Sequence, residues 1–180
     1  MLEITIPGAE LWDESKQEFI NTNTQILRLE HSLVSISKWE SKWKKAFLGN
    51  QEKTFEETID YIKCMTITQN VDPNVYNYLT KENIEEIHKY IGDPMTATTI
   101  SENKNQPVNR EIMTAEVIYY YMIALNIPFE CQKWHLNRLL TLIKVCSIKN
   151  QPPKKMGKNE LLKRNAALNA ARRPQFKAKG

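Results

Sequence analysis

The stretch TAEVIYYYMIALNIPFECQKWHLNRLLTLIKVCSI, residues 114–148, decides the fold. Thr114 is a capping residue before an almost wholly apolar run, Ala115 to Leu125, which Asn126 and Pro128 end. The spacing then predicts one long helix from Phe129 to Ile148. Phe129, Leu136, Leu139, Leu140 and Ile143 make its main face, with Trp134, Leu142 and Val145 off it. A helix that is apolar nearly all round is buried or sandwiched, so these two helices are expected at the centre of the core.

Upstream, further helical patterns precede this pair. In 32–47, Leu33, Ile36, Trp43 and Phe47 share a face and Lys38, Lys42 and Lys45 lie away from it, so a helix is expected there, ended by Gly49-Asn50. Thr54 followed by Glu57 is a capping box, with Ile59, Tyr61, Ile62 and Met65 behind it. Asp72-Pro73 reads as a cap and a first-position proline. Thr80 caps a helix carrying Ile84, Ile87 and Ile91, which Gly92 and Pro94 close. Residues 101–110, SENKNQPVNR, read as a polar loop.

The N-terminal residues have a different period. Leu2-Glu3-Ile4-Thr5-Ile6 alternates apolar and polar as a half-buried strand does, and Pro7-Gly8 stops it. Leu11-Trp12 and Phe19-Ile20 flank polar Asp13-Glu14-Ser15-Lys16, a hairpin or short loop. Gln25 to Glu30 alternates again. The expected fold is therefore α+β: a small N-terminal antiparallel sheet (1–31) packed on a predominantly helical bundle (32–148), followed by a basic C-terminal tail (149–180).

Charge marks off that tail. The chain has 180 residues with 25 Lys plus Arg, 21 Asp plus Glu and a net charge of +4. Residues 149–180 hold ten of the cations against Glu160 alone, a net +9, and leave 1–148 at −5. A mildly acidic body thus carries a basic appendage joined through Gln151-Pro152-Pro153, and about 158–172 reads as one more helix. Such an arm binds a polyanion or an acidic surface, or is simply solvated. Apolar content of 41% excludes low-complexity disorder, and no apolar run approaches the roughly 20 residues that cross a bilayer. MLEITIPGAELWDE has no basic flank before an apolar run, so no signal peptide is expected and Cys64, Cys131 and Cys146 are expected as thiols in a cytosol.

Chemistry-bearing patterns are sparse. Gly8, Gly49, Gly92, Gly157 and Gly180 are too far apart for a P-loop or a dinucleotide fingerprint. Cys131 and His135 are four apart, a metal-compatible spacing on a helix, but a structural zinc site needs four ligands and Cys64, Cys146, His31 and His88 show no paired spacing. A buried thiol beside a hydrogen-bonded imidazole is the expected arrangement. The same Cys/His pair lacks an orienting third group for nucleophilic catalysis, and no serine elbow is present. No catalytic residue, metal or cofactor is expected.

Aromatic and arm residues are the candidates for contact with a partner. Trp39 and Trp134 sit off the main apolar faces of their helices, and Trp43 accompanies them. Tyr119-Tyr120-Tyr121 covers too much of a helix circumference for all three rings to meet one surface, and is expected mainly in the core. In the arm, Leu161 and Leu168 make a narrow apolar stripe, with Arg164, Arg172 and Arg173 as cations for a partner. No aromatic platform for stacked bases accompanies them, since Phe176 stands alone.

Four blocks together, LEHSLVSISKWESKW (29–43), MTATTIS (95–101), the stretch from Arg110 to Cys146 and RNAALNAARR (164–173), resemble a family of small tailed-bacteriophage proteins encoded near the tape-measure protein. The resemblance covers most of the chain in the same block order. It implies a non-enzymatic tail assembly chaperone in the host cytoplasm that binds the tape-measure protein or other tail proteins. The alternatives are a structural virion protein of the connector or tail, and a nucleic-acid-binding module using the basic tail. Self-association is open, and no membrane partner is expected.

Overall fold

The computed structural model describes residues 1–8, 10–13, 18–21, 24–100, 112–151 and 157–177. The chain divides into two compact units, Met1–Ser147 and Ile148–Gly180. The architecture is α+β, with antiparallel strands at the N-terminus followed by helices. The 101–110 loop, the hairpin turn at 14–17 and the Pro152-Pro153 junction lie outside the described residues.

β1 (Leu2–Ile6) pairs antiparallel with β4 (Gln25–Leu29), and β2 (Glu10–Asp13) pairs with β3 (Glu18–Asn21). In both ladders the partner positions add to 31, as Leu2 with Leu29 and Glu10 with Asn21. The two pairs form two separate two-stranded sheets. Pro7, which has no amide to donate, follows the end of β1. Alternation does what the sequence pattern requires of it: Ile4, Ile6, Leu27 and Leu29 are buried, while Glu3 and Arg28 face solvent and pair at 2.8 Å.

The free edge of β4 is covered by the chain leaving the second helix. The Glu30 amide donates to the Met65 carbonyl and the Ile67 amide to the Arg28 carbonyl, each at 2.9 Å. Covering an edge in this way removes a template for unwanted strand pairing.

The first helix, α1 (Leu33–Trp43), starts at Ser32, whose hydroxyl accepts from the Ser35 amide at 3.3 Å while the Ser35 hydroxyl accepts from the Ser32 amide at 2.9 Å. It does not run to residue 47 as the periodicity predicts. Lys44 turns left-handed, with φ of 55°, and the chain reverses. Phe47 then packs off the helix, edge-on to Trp39 at 5.2 Å and against Tyr61 at 4.0 Å. The Glu40 carboxylate holds this reversal in place by accepting the Phe47 amide at 2.7 Å.

The capping signals upstream are all used. α2 (Phe55–Met65) has the reciprocal Thr54–Glu57 box, a 3₁₀ segment (Pro73–Tyr78) follows Asp72, and α3 (Lys81–Gly92) is capped by Thr80. α4 (Ala115–Ala124) begins after Thr114, whose hydroxyl accepts the Val117 amide. Asn83 of α3 donates to the Thr5 carbonyl at 3.4 Å, tying that helix to β1.

The expected helix from Phe129 to Ile148 is broken in two. A 3₁₀ segment (Phe129–Lys133) precedes α5 (Leu136–Lys149), and Trp134 between them is extended, with ψ of 161°. The reason is a tertiary hydrogen bond: His135 forms an antiparallel bridge with Ser32, and the Leu136 amide donates to the His31 carbonyl at 2.7 Å. A backbone partner outside the helix takes an amide that would otherwise begin α5 unpaired. Leu136, Leu139 and Ile143 are buried, as the sequence face requires, but Phe129 is 53% exposed.

The core joins both layers: Ile4, Leu27, Leu33, Ile36, Ile62, Ile87, Ile118, Met122 and Leu139 belong to one cluster. The second unit contains α6 (Lys158–Lys177), which runs beyond the expected end at 172 and through Pro174. Among the described residues, no helix is long and apolar enough to cross a membrane.

Candidate partner-binding surface

Trp39 is not an interface residue. It is 1% exposed, and its indole nitrogen donates to the Glu57 carbonyl at 2.9 Å. A continuous helix over 32–47 would carry Phe47 on the main face and Trp39 off it. The reversal at Lys44 instead brings Phe47 over Trp39 and buries it. Trp43 stacks on Trp39 at 6.2 Å and is half-buried, its indole nitrogen donating to Asp60 at 2.9 Å. The two tryptophans therefore stitch α1 to α2. Trp134 is half-buried and keeps a face for the Arg138 guanidinium, 4.2 Å from its ring centre.

The ion pairs of this α1–α2 seam involve Lys42 with Asp60 and Lys45 with Glu57. Lys45 and the Thr54 amide hold the Glu57 carboxyl below the usual carboxylate range. The hydrogen bond to Asp60 holds the Lys42 ammonium above its usual range. Glu57 is the buried member of its pair and Lys45 the exposed one.

Beneath the surface lies a polar cluster. The Tyr61 hydroxyl is 2.5 Å from His31 Nδ1 and 3.5 Å from the Ser35 hydroxyl, and the rings of His31 and His135 meet edge to face at 5.0 Å. His135 Nε2 donates to the Tyr90 carbonyl at 3.0 Å, because a carbonyl can only accept. The Tyr90 hydroxyl donates to Glu30 at 2.6 Å. His135 Nδ1 is buried with no hydrogen-bond partner among the described residues.

Burial, then the neighbouring His135, pushes His31 down to about 3. Burial also lowers His135 and raises both Tyr61 and Tyr90, with the Glu30 carboxylate adding to the rise at Tyr90. Near neutral pH the two imidazoles and two phenols are thus uncharged hydrogen-bonding groups. They brace the junction of the sheet with α1, α2, α3 and α5.

Cys131 and His135 do not share a helix face. Cys131 lies in the 3₁₀ segment and His135 in the bridge to Ser32. Burial pushes the Cys131 and Cys64 thiols up, away from the reactive thiolate. Among the described residues, no group of three or more His, Cys, Asp or Glu side chains is placed to hold a metal ion.

Solvent meets apolar side chains elsewhere. On α4, Tyr120 is 64% and Ile123 is 61% exposed, although Ala115, Ile118 and Met122 of the same helix are buried. Tyr119 and Tyr121 are half-buried, and Tyr119 brings exposed Phe129 to within 6.4 Å ring to ring. The three-tyrosine run carried the signal, since successive residues cannot all point inward. Phe129 carried none, because the break at Trp134 changes its direction. Exposed Phe55 stands over an open depression between α2, the 3₁₀ segment after Asp72 and α3, lined also by Ile59, Tyr76, Leu79 and Ile84.

In the second unit, Leu161 and Leu168 are exposed, as is Leu162, and so are Arg164 and Arg172. Arg173 lies within α6, with its side chain outside the described set. Comparison with protein-family models, curated proteins and solved structures finds no match.

Proposed function

We propose that this chain is a non-enzymatic phage tail assembly chaperone that binds the tape-measure protein in the host cytoplasm. The sequence blocks that resemble that family support the identity of the partner. The observation that carries a binding role is the pairing of Tyr120 and Ile123, one helical turn apart and both mostly exposed, on a helix whose opposite side is core. A helix so anchored presents its outer apolar residues rigidly, and such residues suit the apolar stripe of a partner helix. Phe129 extends the surface. Trp43 and Trp134 are half-buried and can contribute only an edge or a face.

Co-expression tests the reading. The tape-measure protein should remain soluble with the full chain and precipitate with the Y120S/I123S variant, whose own fold is unchanged by circular dichroism. A tape-measure protein that is equally insoluble with both would defeat the reading. Mass spectrometry of purified virions separates the chaperone from a structural tail or connector protein, because only the latter remains in finished particles in stoichiometric amount.

A further inference from the structure

Phe55, Ile59 and Lys63 follow one another at four-residue steps along α2, so they share one side of that helix, with Glu56 and Asp60 beside them. That side borders a depression of about 420 Å³ whose other walls carry Leu79 and Ile84. The volume falls within the roughly 300–1,000 Å³ of ligand-sized clefts. Phe55 is 75% exposed, and Ile59, Leu79 and Ile84 are half-buried. A single exposed phenylalanine is ordinary. Four apolar side chains lining one depression make a patch of the kind that meets a partner.

The charges around the depression choose the occupant. Lys42 and Asp60 pair with each other and cancel. Glu56 and Lys63 remain, both exposed and without an ion pair among the described residues. The Lys63 ammonium lies 5.4 Å from the centre of the Tyr76 ring, which holds it at the depression without neutralising it. Glu56 and Lys63 are almost two turns apart, about 10 Å along the axis. Any other helix presents positions i and i+7 on one face at this same separation, with i+3 and i+4 between them. We propose that the depression docks an amphipathic helix of another protein, with apolar residues at i+3 and i+4 and one cation and one acid at i and i+7. The cation meets Glu56, the acid meets Lys63, and the apolar residues meet Phe55 and its neighbours. A segment with like charges at both positions meets repulsion at one end. The site shares no residue with the α4 surface and stands whether or not α4 binds a tail protein.

Fluorescence anisotropy of the full chain tests this with three labelled Ala-rich peptides of about 20 residues, long enough to be helical. Each carries Leu at i+3 and i+4. The charges at i and i+7 are Glu and Arg, Glu and Glu, or Arg and Arg. The wild type should bind the Glu/Arg peptide at least about threefold more tightly than either of the others. The E56K variant makes both ends cationic and should prefer the Glu/Glu peptide. The K63E variant makes both ends acidic and should prefer the Arg/Arg peptide. The F55A variant removes a ring that is mostly in water, so the fold stays intact in urea titration. It should bind the Glu/Arg peptide at least about fivefold more weakly. No saturable binding up to about 1 mM peptide, equal affinities for the three peptides, preferences that ignore the charge reversals, or an unaffected F55A would each overturn the proposal.

Discussion

His31 Nδ1 and the Tyr61 hydroxyl lie 2.5 Å apart where α1, α2 and α5 converge, and this contact between two buried neutral groups makes the fold sensitive to acid. His31 sits at about 3 in the folded chain, against 6.5 ordinarily. The unfolded chain therefore takes the proton first. The stabilisation is whole above about pH 6.5 and is lost as pH falls toward 3. His135 is lowered too and acts in the same direction. Thermal melts should show Tm falling from pH 7.5 to 5, and the H31N/H135N variant should show a flatter profile from a lower starting Tm. A Tm that stays level or rises as the wild type is acidified contradicts this account.

Glu40 joins three segments with one carboxylate. Its Oε1 accepts the Phe47 amide and its Oε2 accepts the Ala115 amide, both at 2.7 Å. The second bond also satisfies an orphan donor at the start of α4. Glu40→Ala strands two buried amides and should cost about 2–4 kcal/mol in urea unfolding. Glu40→Gln keeps one acceptor oxygen and should cost less. Equal losses for the two variants would show that the carboxylate's hydrogen bonds are not the source of its stabilisation.

The two stacked tryptophans should respond differently. Trp39→Ala empties a buried site and should cost about 3–5 kcal/mol. Trp39→Phe mainly loses the bond to the Glu57 carbonyl and should cost about 1 kcal/mol plus a packing term. Trp43→Ala, at a half-buried site, should cost less than Trp39→Ala in the same urea titration. The reverse order would place the core on the wrong tryptophan.

Thr54 closes the capping box of α2 at its N-terminus. Thr54→Ala should destabilise the chain by about 1 kcal/mol, and Thr54→Ser should restore most of it. Chemical denaturation of the three proteins checks this, with loss of stability in the serine variant as the contrary result.

Local chemistry was legible in the sequence. Ser and Thr hydroxyls reach amides two or three residues away, so Thr54, Thr80 and Thr114 marked helix starts without reference to anything distant. Strand alternation is equally local, and Ile4, Ile6, Leu27 and Leu29 point inward because side chains on a strand alternate. The exposure of one ring in Tyr119-Tyr120-Tyr121 also follows from helix geometry alone, though not which ring. Tertiary structure alone decided the rest. The break at Trp134 exists because the Leu136 amide donates to the His31 carbonyl, more than a hundred residues earlier. Trp39 is buried because the chain reverses at Lys44 and returns Phe47 and α2 over it. Periodicity sees a residue's own helix; it is blind to a partner that arrives from elsewhere in the chain.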